Sequence, residues 1–481
     1  MVPERFAPIL EELAPLAERF AEAGHRLYLV GGAVRDLLVG GARDGQDFDL
    51  TTDARPPEVK ALLRGWGEAV WTQGERFGTI GAHRRRPDGT LRTVEVTTFR
   101  SEAYSDESRK PHVTFADDVE SDLARRDFTV NAMALELRPG DDGVDAVLID
   151  PHGGAADLAT STLRTPLAPE ISFDDDPLRM LRAARFIAGY ALQPVPELVA
   201  AVVERGSRLA IVSAERIRDE LDKLIVLPTP GPGLWFLVDT GLAEHFLPEL
   251  PALRLEHDPI HRHKDVLSHT IAVVENVTPT ASSGDFDFRT TRLAALFHDI
   301  GKPRTRGYQS GKGTTFHHHD VVGARMTRRR MEALRYPAAD IAAVSELVFL
   351  HLRFHTYQMG WSDSAVRRYV RDAGDLLQEL NVLTRCDCTT RDERKAARLS
   401  RRMDELEARI VELAEQEELA AIRPELDGRQ VMDHLGIPAG PAVGKALAFL
   451  MDIRLDEGEI GHDEAMKRLD AWWQEHGPGG S

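Results

Sequence analysis

The 481-residue chain has few cysteines and no long apolar run, and each absence excludes a class of protein. Its two cysteines, Cys386 and Cys388, are too few for a disulfide framework and too close together for the usual zinc pair, so reduced thiols are expected. No stretch of about 18 uncharged apolar residues occurs, which predicts that the protein has no membrane span. The first residues carry acids early and lack the apolar core of a signal peptide, which favours a cytoplasmic protein.

Positive charge is also scarce. The chain has 60 basic and 78 acidic residues and a net charge of −18 at pH 7. An acidic chain repels a polyanion, which argues against a nucleic-acid partner unless basic residues cluster locally. Basic runs do occur at 84–86, 125–126 and within 325–335, although each alone is more typical of a solvated surface.

The length predicts two to four domains, and the residue pattern changes along the chain. Helical spacing over 4–23 is followed by the strand patterns HRLYLVGG, DFDLTT, TIGAH and TVEVTTFR, the last two joined by a turn at Asp88-Gly89. After Pro151 helical patterns dominate, and from about 255 the chain is again helical and rich in histidine. We expect an α+β protein with the following boundaries: a mixed-sheet head at 1–150, a helical neck at 151–254, an all-α histidine-rich domain at 255–400 and a helical tail at 401–481.

Two carboxylates in DFDL are candidates for metal ligands. Asp47 and Asp49 are two residues apart on a predicted strand, so both face one side and together can hold two Mg²⁺ ions. Such a pair alone is more often a solvated strand end. Upstream, however, a strand ends at Gly31-Gly32 and opens a helix, which brings backbone N–H groups near a phosphate, and Arg35 adds a cation.

These residues resemble a known signature. LVGGAVRDLL followed by Asp47-Phe-Asp49 is similar to the first motif of the class II CCA-adding enzymes and bacterial poly(A) polymerases. Four further motifs of that family follow in the family's order. They are RRDFTVNA at 125–132, DPHGGAADL at 150–158, DDPLRMLRAARF at 175–186 and SAERIRDEL at 213–221.

The resemblance implies a head related to the DNA polymerase β palm, with Glu95 as a third metal-holding acid beside Asp47 and Asp49. It also implies that the neck recognises the nucleotide and contacts RNA. Asp176 and Arg179 are expected on one helix, where a carboxylate and a guanidinium can together read the edge of C or A without a template. Asp175 stands where the family normally has Glu. The implied nucleotide-binding set is Gly31, Gly32, Arg35, Arg126, Asp127, Asn131, Asp176, Arg179 and Arg182.

Nine of the 18 histidines lie between 261 and 355, and LAALFHDIGKP delivers an adjacent His-Asp pair at the end of an apolar helix. This density argues for a metal site. The region resembles the HD superfamily of metal-dependent phosphohydrolases. The resemblance implies one or two divalent transition ions of unknown identity, although a domain that only packs or binds RNA stays open. His318 is an alternative to one of the implied ligands, which are His269, His298, Asp299, His319, His351 and Asp387.

The function implied is the addition of CCA to tRNA from CTP and ATP by a two-metal mechanism, with possible phosphohydrolase activity in the HD domain. Poly(A) polymerase is the alternative within the family. From other classes, the alternatives are an HD phosphohydrolase with an inactive head, a non-catalytic RNA scaffold and an antibiotic nucleotidyltransferase. Intact Asp47, Asp49, Asp176 and Arg179 disfavour an inactive head. The sequence leaves the oligomeric state open.

Overall fold

The computed structural model describes residues 4–40, 47–103, 112–140, 143–255, 265–282, 284–310, 313–356, 361–389, 392–416 and 422–477. The chain divides into two compact units, Met1–Pro248 and Glu249–Ser481. Among the described helices, none combines the length and the apolar character needed to cross a bilayer.

The first unit contains a sheet followed by helices. Its strands are β1 Leu27–Val30, β2 Phe48–Thr52, β3 Ala69–Trp71, β4 Thr79–Arg85, β5 Leu91–Thr98, β6 Arg100–Ala103, β7 His112–Phe115, β8 Ala134–Gly140, β9 Gly143–Ile149, β10 Thr162–Leu163 and β11 Gln193–Pro194. Its α-helices are α1 Ala7–Glu22, α2 Gly32–Val39, α3 Pro56–Arg64, α4 Val119–Ala124, α5 Gly154–Ala159, α6 Pro169–Asp175, α7 Leu178–Tyr190, α8 Pro196–Arg205, α9 Ala214–Ile225 and α10 Gly231–Asp239.

Seven strands form one mixed sheet in the order β3-β4-β5-β2-β1-β8-β9. Strands β2 and β5 are parallel, whereas the other neighbours are antiparallel. Strand β1 is buried on both faces, because Leu27 and Leu29 pack into one core and Tyr28 and Val30 into another. The predicted mixed sheet is confirmed, and the predicted turn at Asp88-Gly89 does join β4 to β5.

The third motif supports the second through a close backbone contact. A Cβ placed on Gly154, the first residue of α5, would lie 2.1 Å from the carbonyl oxygen of Thr129. The Thr129 hydroxyl donates to Asp157 over 2.7 Å, and the Thr129 amide donates to the Arg164 carbonyl. Helix α5 therefore holds the segment that carries the second motif against the sheet.

The described residues of the second unit are helical apart from one small hairpin, which the sequence patterns did not predict. Its α-helices are α11 Val266–Asn276, α12 Phe288–Phe297, α13 Lys302–Thr305, α14 His319–Ala333, α15 Ala338–Leu350, α16 Arg353–Thr356, α17 Asp363–Ala373, α18 Leu377–Cys386, α19 Glu393–Gln416, α20 Gly428–Leu435, α21 Pro441–Glu457 and α22 His462–His476. The hairpin pairs β12 Arg306–Gln309 with β13 Gly313–Phe316. Helices α20, α21 and α22 share a small apolar core of their own.

Replacing Gly154 with alanine tests the support that α5 gives to the second motif. The added methyl group meets backbone atoms that cannot rotate away, so we expect the first unit to lose about 1–3 kcal/mol of unfolding free energy. Urea unfolding measures this loss. Gly189→Ala is the matched control, because Gly189 lies inside α7 and its added methyl would make an ordinary contact 3.4 Å from Leu227. Equal stability of the two variants would contradict the assignment.

Candidate functional site

Acidic side chains converge on strands β2 and β5. Asp49 and Glu95 are Cα partners in the parallel register, so their side chains leave the same face of the sheet. Asp47 precedes Asp49 by two residues and is exposed. Partial desolvation raises the pKa of Asp49, opposed by Arg126 and reinforced by Asp47. The pKa of Glu95 is raised by partial desolvation and by the charges of Asp49 and Asp47. The acids are therefore close enough to repel one another.

The turn between β1 and α2 brings backbone against these acids. Gly31 has a φ of 72°, a left-handed conformation that favours glycine, and Gly32 begins α2. A Cβ on Gly31 would lie 3.2 Å from Arg126 Nη1 and 3.9 Å from Asp49 Oδ2. Backbone, guanidinium and carboxylate thus surround one small space that a side chain at position 31 would fill.

Arg35 is buried in a network that joins α2 to α7. Its Nη1 donates to Asn131 Oδ1 over 2.6 Å, and its Nε donates to Asp36 over 2.9 Å. Its Nη2 donates to the Tyr190 hydroxyl, and its guanidinium stacks 4.0 Å from the centre of the Tyr190 ring. The sequence patterns gave no sign of Tyr190, because its partner is far away in the chain.

Asp127 lies at the centre of a buried charge network between the head and α7. Arg182 donates to Asp127 Oδ2 from Nε at 2.9 Å and from Nη2 at 2.6 Å, and Asn131 donates to Oδ1 at 3.0 Å. Burial by itself would raise the pKa of Asp127, but the charge of Arg182 and hydrogen bonds from Asn131 and Arg182 lower it to about 2. Arg182 also lies 3.5 Å from the buried Glu220 of α9. The structure thus brings three of the predicted residues together.

Asp122 is a further acid of this network that the sequence analysis missed. Its fully buried carboxylate accepts hydrogen bonds from Arg125 Nη2 at 2.9 Å and from Arg126 Nη2 at 3.2 Å. Both arginines follow it by one helical turn, at i+3 and i+4, and this spacing was the available signal. Asp122 fixes the direction of Arg126, which points toward Gly31 and Asp49.

The expectation that Asp176 and Arg179 share one helix is wrong. Asp176 lies in extended backbone between α6 and α7, because a residue before proline disfavours the helical conformation and Pro177 follows. Asp176 Oδ2 accepts a hydrogen bond from Arg216 of α9 at 2.8 Å. Arg179, in the first turn of α7, donates to Ser172 Oγ at 2.8 Å and to the Arg125 carbonyl. Both residues remain in the same unit as the acids, but each is oriented by a different partner.

The second unit gathers all six predicted HD residues into one cluster. Ligand-capable atoms of His269, His298 and Asp387 lie within 4.8 Å of one another, and so do those of Asp299, His319 and His351. The shortest contacts join His269 Nε2 to Asp387 Oδ1 at 2.9 Å and His298 Nε2 to Asp299 Oδ2 at 3.2 Å. The His298–Asp299 contact links the two groups, and His269 Nε2 also lies 3.6 Å from Asp299 Oδ2.

The imidazoles of this cluster are oriented by backbone. His298, His319 and His351 each place Nδ1 within 2.8 Å of a carbonyl oxygen three residues earlier, which Nδ1–H donates to. In the neutral imidazole this contact favours the tautomer with a lone pair on Nε2, the atom that faces the other predicted ligands. Burial lowers the pKa of His351 to about 4, with the charge of His298 contributing, so this imidazole is neutral near pH 7. Neutral imidazole is the form that binds metal ions.

The choice between His318 and His319, which the sequence left open, is decided by backbone conformation. His318 has a φ of 59° immediately before α14, and its side chain is exposed. His319 begins α14, and its Nε2 lies 3.2 Å from that of His351. Lys302, which the sequence analysis did not single out, donates to Asp299 Oδ2 over 2.6 Å.

Comparison with known sequences gives three matching family models. The Poly A polymerase head domain matches residues 27–164, the probable RNA and SrmB-binding site of polymerase A matches residues 192–253, and the HD domain matches residues 266–418. An A-adding tRNA nucleotidyltransferase from Deinococcus radiodurans is 34% identical over 459 residues, which are 94% of this chain and 96% of that protein.

Other relatives align over a shorter part. A CCA-adding enzyme from Lactobacillus gasseri is 36% identical over 258 residues, so this chain spans 58% of that enzyme and 53% of its own length is aligned. The crystal structure of the Bacillus stearothermophilus CCA-adding enzyme in complex with CTP has a TM-score of 0.65 and 23% identity, covering 98% of this chain and 100% of that one. At that identity the likeness shows the fold alone.

The low pKa of Asp127 predicts how stability depends on pH. A carboxylate whose pKa is lower in the folded state stabilises the fold above its unfolded pKa, and this stability is lost as pH falls through the folded pKa of about 2. We expect the free energy of unfolding of the parent chain to exceed that of Asp127→Asn by about 2–3 kcal/mol at pH 7. At pH 3 this difference should be smaller by about 1 kcal/mol. Urea unfolding at each pH measures it. Asp145→Asn, at an exposed carboxylate of β9, is the control; parallel pH curves for Asp127→Asn and the parent chain would refute the assignment.

Proposed function

The chain belongs to the family of class II CCA-adding tRNA nucleotidyltransferases and bacterial poly(A) polymerases, and from this membership we propose that it completes the 3′ end of tRNA with CTP and ATP. The observation that carries the proposal is the pairing of Asp49 with Glu95 beside the Gly31 turn. The acids and the small space beside Gly31 are adjacent, which supports binding of a metal ion and a phosphate side by side. No nucleic-acid template is required, because side chains supply the hydrogen bonds that select the base.

The acid cluster fits divalent cations. The carboxylates of Asp47, Asp49 and Glu95 repel one another, and two of them have a raised pKa, so a bound cation would stabilise all three. Oxygen ligands of this kind suit Mg²⁺. We propose that these three residues hold Mg²⁺, which would lower the barrier by neutralising charge on the attacking and leaving oxygens.

The remaining side chains would position the substrates. The Gly31-Gly32 turn and Arg126 would hold the triphosphate, and the buried Asp127–Arg182 pair with Asn131 would fix the ribose end. In the reaction, the tRNA 3′-oxygen forms a bond to the α-phosphorus as the bond to the pyrophosphate oxygen breaks. The hydroxyl proton leaves to water. Charge stabilisation and alignment account for the rate without a covalent intermediate.

Base selection is proposed for Asp176 and Arg179, in a form amended by their positions. Arg216 holds Asp176 from α9, and Ser172 holds Arg179 from α6. Both side chains are therefore oriented before a nucleotide binds, as a reader that replaces a templating base requires. Arg35, anchored to Tyr190, would set how α2 lies against α7.

A second candidate is the addition of the terminal A alone. The relative that matches along nearly the whole chain is named an A-adding enzyme, whereas the L. gasseri CCA-adding enzyme matches over about half of its length. Poly(A) synthesis is the third possible product. These reactions share the site and differ in acceptor and stopping point, so product analysis separates them.

We further propose a cytoplasmic location, as expected of a tRNA-maturing enzyme. We propose that the domains have the boundaries predicted from the sequence, with the head at 1–150, the neck at 151–254, the HD domain at 255–400 and the tail at 401–481. The family models lie within or close to these ranges.

For the HD domain we propose hydrolysis of phosphate esters by one or two divalent transition ions. Its nitrogen and carboxylate donors suit such ions, and their identity is left to experiment.

Incubation of the protein with Mg²⁺, each labelled nucleotide and tRNA ending before CCA, before CA or before A tests the proposed reaction. We expect C, C and A in sequence and then a stop. Incorporation only on the acceptor that lacks A would establish the second candidate, and long A tracts would establish poly(A) synthesis. Asp47→Ala should lower incorporation by at least about 10²-fold, because charge stabilisation at the reacting phosphate is lost. Absence of incorporation by the unaltered chain on every acceptor would refute the proposal.

Titration of metal-depleted protein with Co²⁺, followed by visible absorption, tests the HD site. We expect His298→Ala to abolish the tightly bound Co²⁺ and any phosphatase activity, because it removes a ligand from the centre of the cluster. Nucleotide incorporation should stay within about twofold of the parent chain, since the two ligand sets belong to different compact units. His434→Ala, at a histidine paired with Asp470 in the tail, is the control. Equal loss of incorporation would contradict independent sites.

A further inference from the structure

A cavity of about 350 Å³ opens beside the strand that carries Glu95. Its lining includes Glu95 itself, two half-buried aromatic side chains and one arginine. The residues that matter for its chemistry are Trp71, Phe77, Gly81, Glu95 and Arg100. Its volume is within the range of small-molecule sites, and none of the five sequence motifs includes these residues.

The cavity and the Gly31 turn lie on different sides of the acid cluster along the sheet. Strand β2, with Asp49, is followed on one side by β1, which ends at the Gly31 turn, and on the other by β5, β4 and β3. The cavity residues Glu95, Gly81 and Trp71 lie on β5, β4 and β3 respectively. The Gly31 turn and the cavity therefore lie on opposite sides of the acids.

The two sides differ in charge. Arg126, Asp127 and Arg182 belong to the Gly31 side, where guanidinium groups can meet the charge of a triphosphate. The residues that line the cavity include one cation, Arg100, and one acid, Glu95. A triphosphate carries several negative charges, so the Gly31 side suits it better. The cavity suits a ligand with an aromatic base and a single phosphate.

The aromatic walls are held in place by their surroundings. The Trp71 indole lies against Gly81 so closely that a Cβ there would come within 2.1 Å of the ring. The ring of Phe77 has the Arg76 guanidinium 4.5 Å from its centre, and the Phe77 carbonyl accepts a hydrogen bond from Arg100 over 2.9 Å. Stacking on aromatic rings beside a cation is how proteins hold unpaired bases regardless of sequence.

We propose that this cavity receives the 3′-terminal nucleoside of the acceptor RNA, with its base against Trp71 or Phe77 and its phosphate near Arg100. The proposal rests on the proposed nucleotidyl transfer. In-line attack requires the nucleophile opposite the leaving pyrophosphate, and the cavity lies across the acids from the triphosphate side. Because the end of the RNA changes from C to A during synthesis, a stacking wall fits better than a base-specific one.

Steady-state incorporation by Trp71→Ala and Phe77→Ala tests the proposal, using the acceptor that the unaltered chain extends. We expect the KM for the acceptor RNA to rise by about 5- to 100-fold, the range expected from base stacking on aromatic side chains. The KM for the incoming nucleotide should change by less than twofold. Leu91→Ala, at a half-exposed apolar residue of β5 outside the cavity, is the matched control and should leave both constants unchanged.

A second measurement uses the unaltered protein and so does not depend on the variants folding. An acceptor whose last nucleotide is 4-thiouridine should crosslink, on irradiation, to residues between 71 and 81. Crosslinks elsewhere only, or variants with an unchanged KM for RNA, would overturn the proposal while normal incorporation by the unaltered chain left the function standing. If the unaltered chain incorporates no nucleotide on any acceptor, the proposed function itself fails.

Discussion

The ion pair between Asp127 and Arg182 is the contact on which the arrangement of the first unit depends. It joins the segment between α4 and β8 to α7, and Glu220 extends the network to α9. Removing these charges from water is costly, and their mutual attraction with the Asn131 hydrogen bond offsets that cost. Compared with a well-packed apolar pair of the same volume, such an ion pair adds little net stability, whereas removing one partner alone is costly. It does favour one relative position of head and neck over others, because a shift would leave a buried charge without its partner.

The acids on strands β2 and β5, by contrast, carry charges that repel one another. Asp49 and Glu95 are held on one face by strand register, and each raises the pKa of an acid beside it or has its own pKa raised, while Arg126 only partly offsets the charge of Asp49. Their like charges repel, and the divalent cation proposed above would relieve that repulsion. The first unit thus combines a balanced charge network, which fixes geometry, with an unbalanced one, which is suited to a cation. Cations held at the acids, as proposed above, would also contribute positive charge that the sequence count omits, which would help an acidic chain to hold a polyanion.

Sequence reasoning performed well where local patterns carry the information. The buried strand β1 and the Asp88-Gly89 turn were visible in the residues themselves, and the ordered motifs indicated the family. The reasoning went wrong at Asp176, because helical spacing was given more weight than the effect of Pro177 on the residue before it. It missed Tyr190 and Glu220, since their partners are distant in the chain and no spacing marks such contacts.

The histidine cluster also shows what sequence patterns alone cannot predict. Composition pointed to a metal site, but the choice between His318 and His319 depended on a single backbone conformation before α14. Three imidazoles are oriented by carbonyls three residues earlier in the chain, so each ligand depends on the local helix end that presents it. The geometry of the cluster therefore depends on these chain segments as much as on the histidines. The predicted ligands are spread over more than one hundred positions, from His269 to Asp387, and only the fold brings them together.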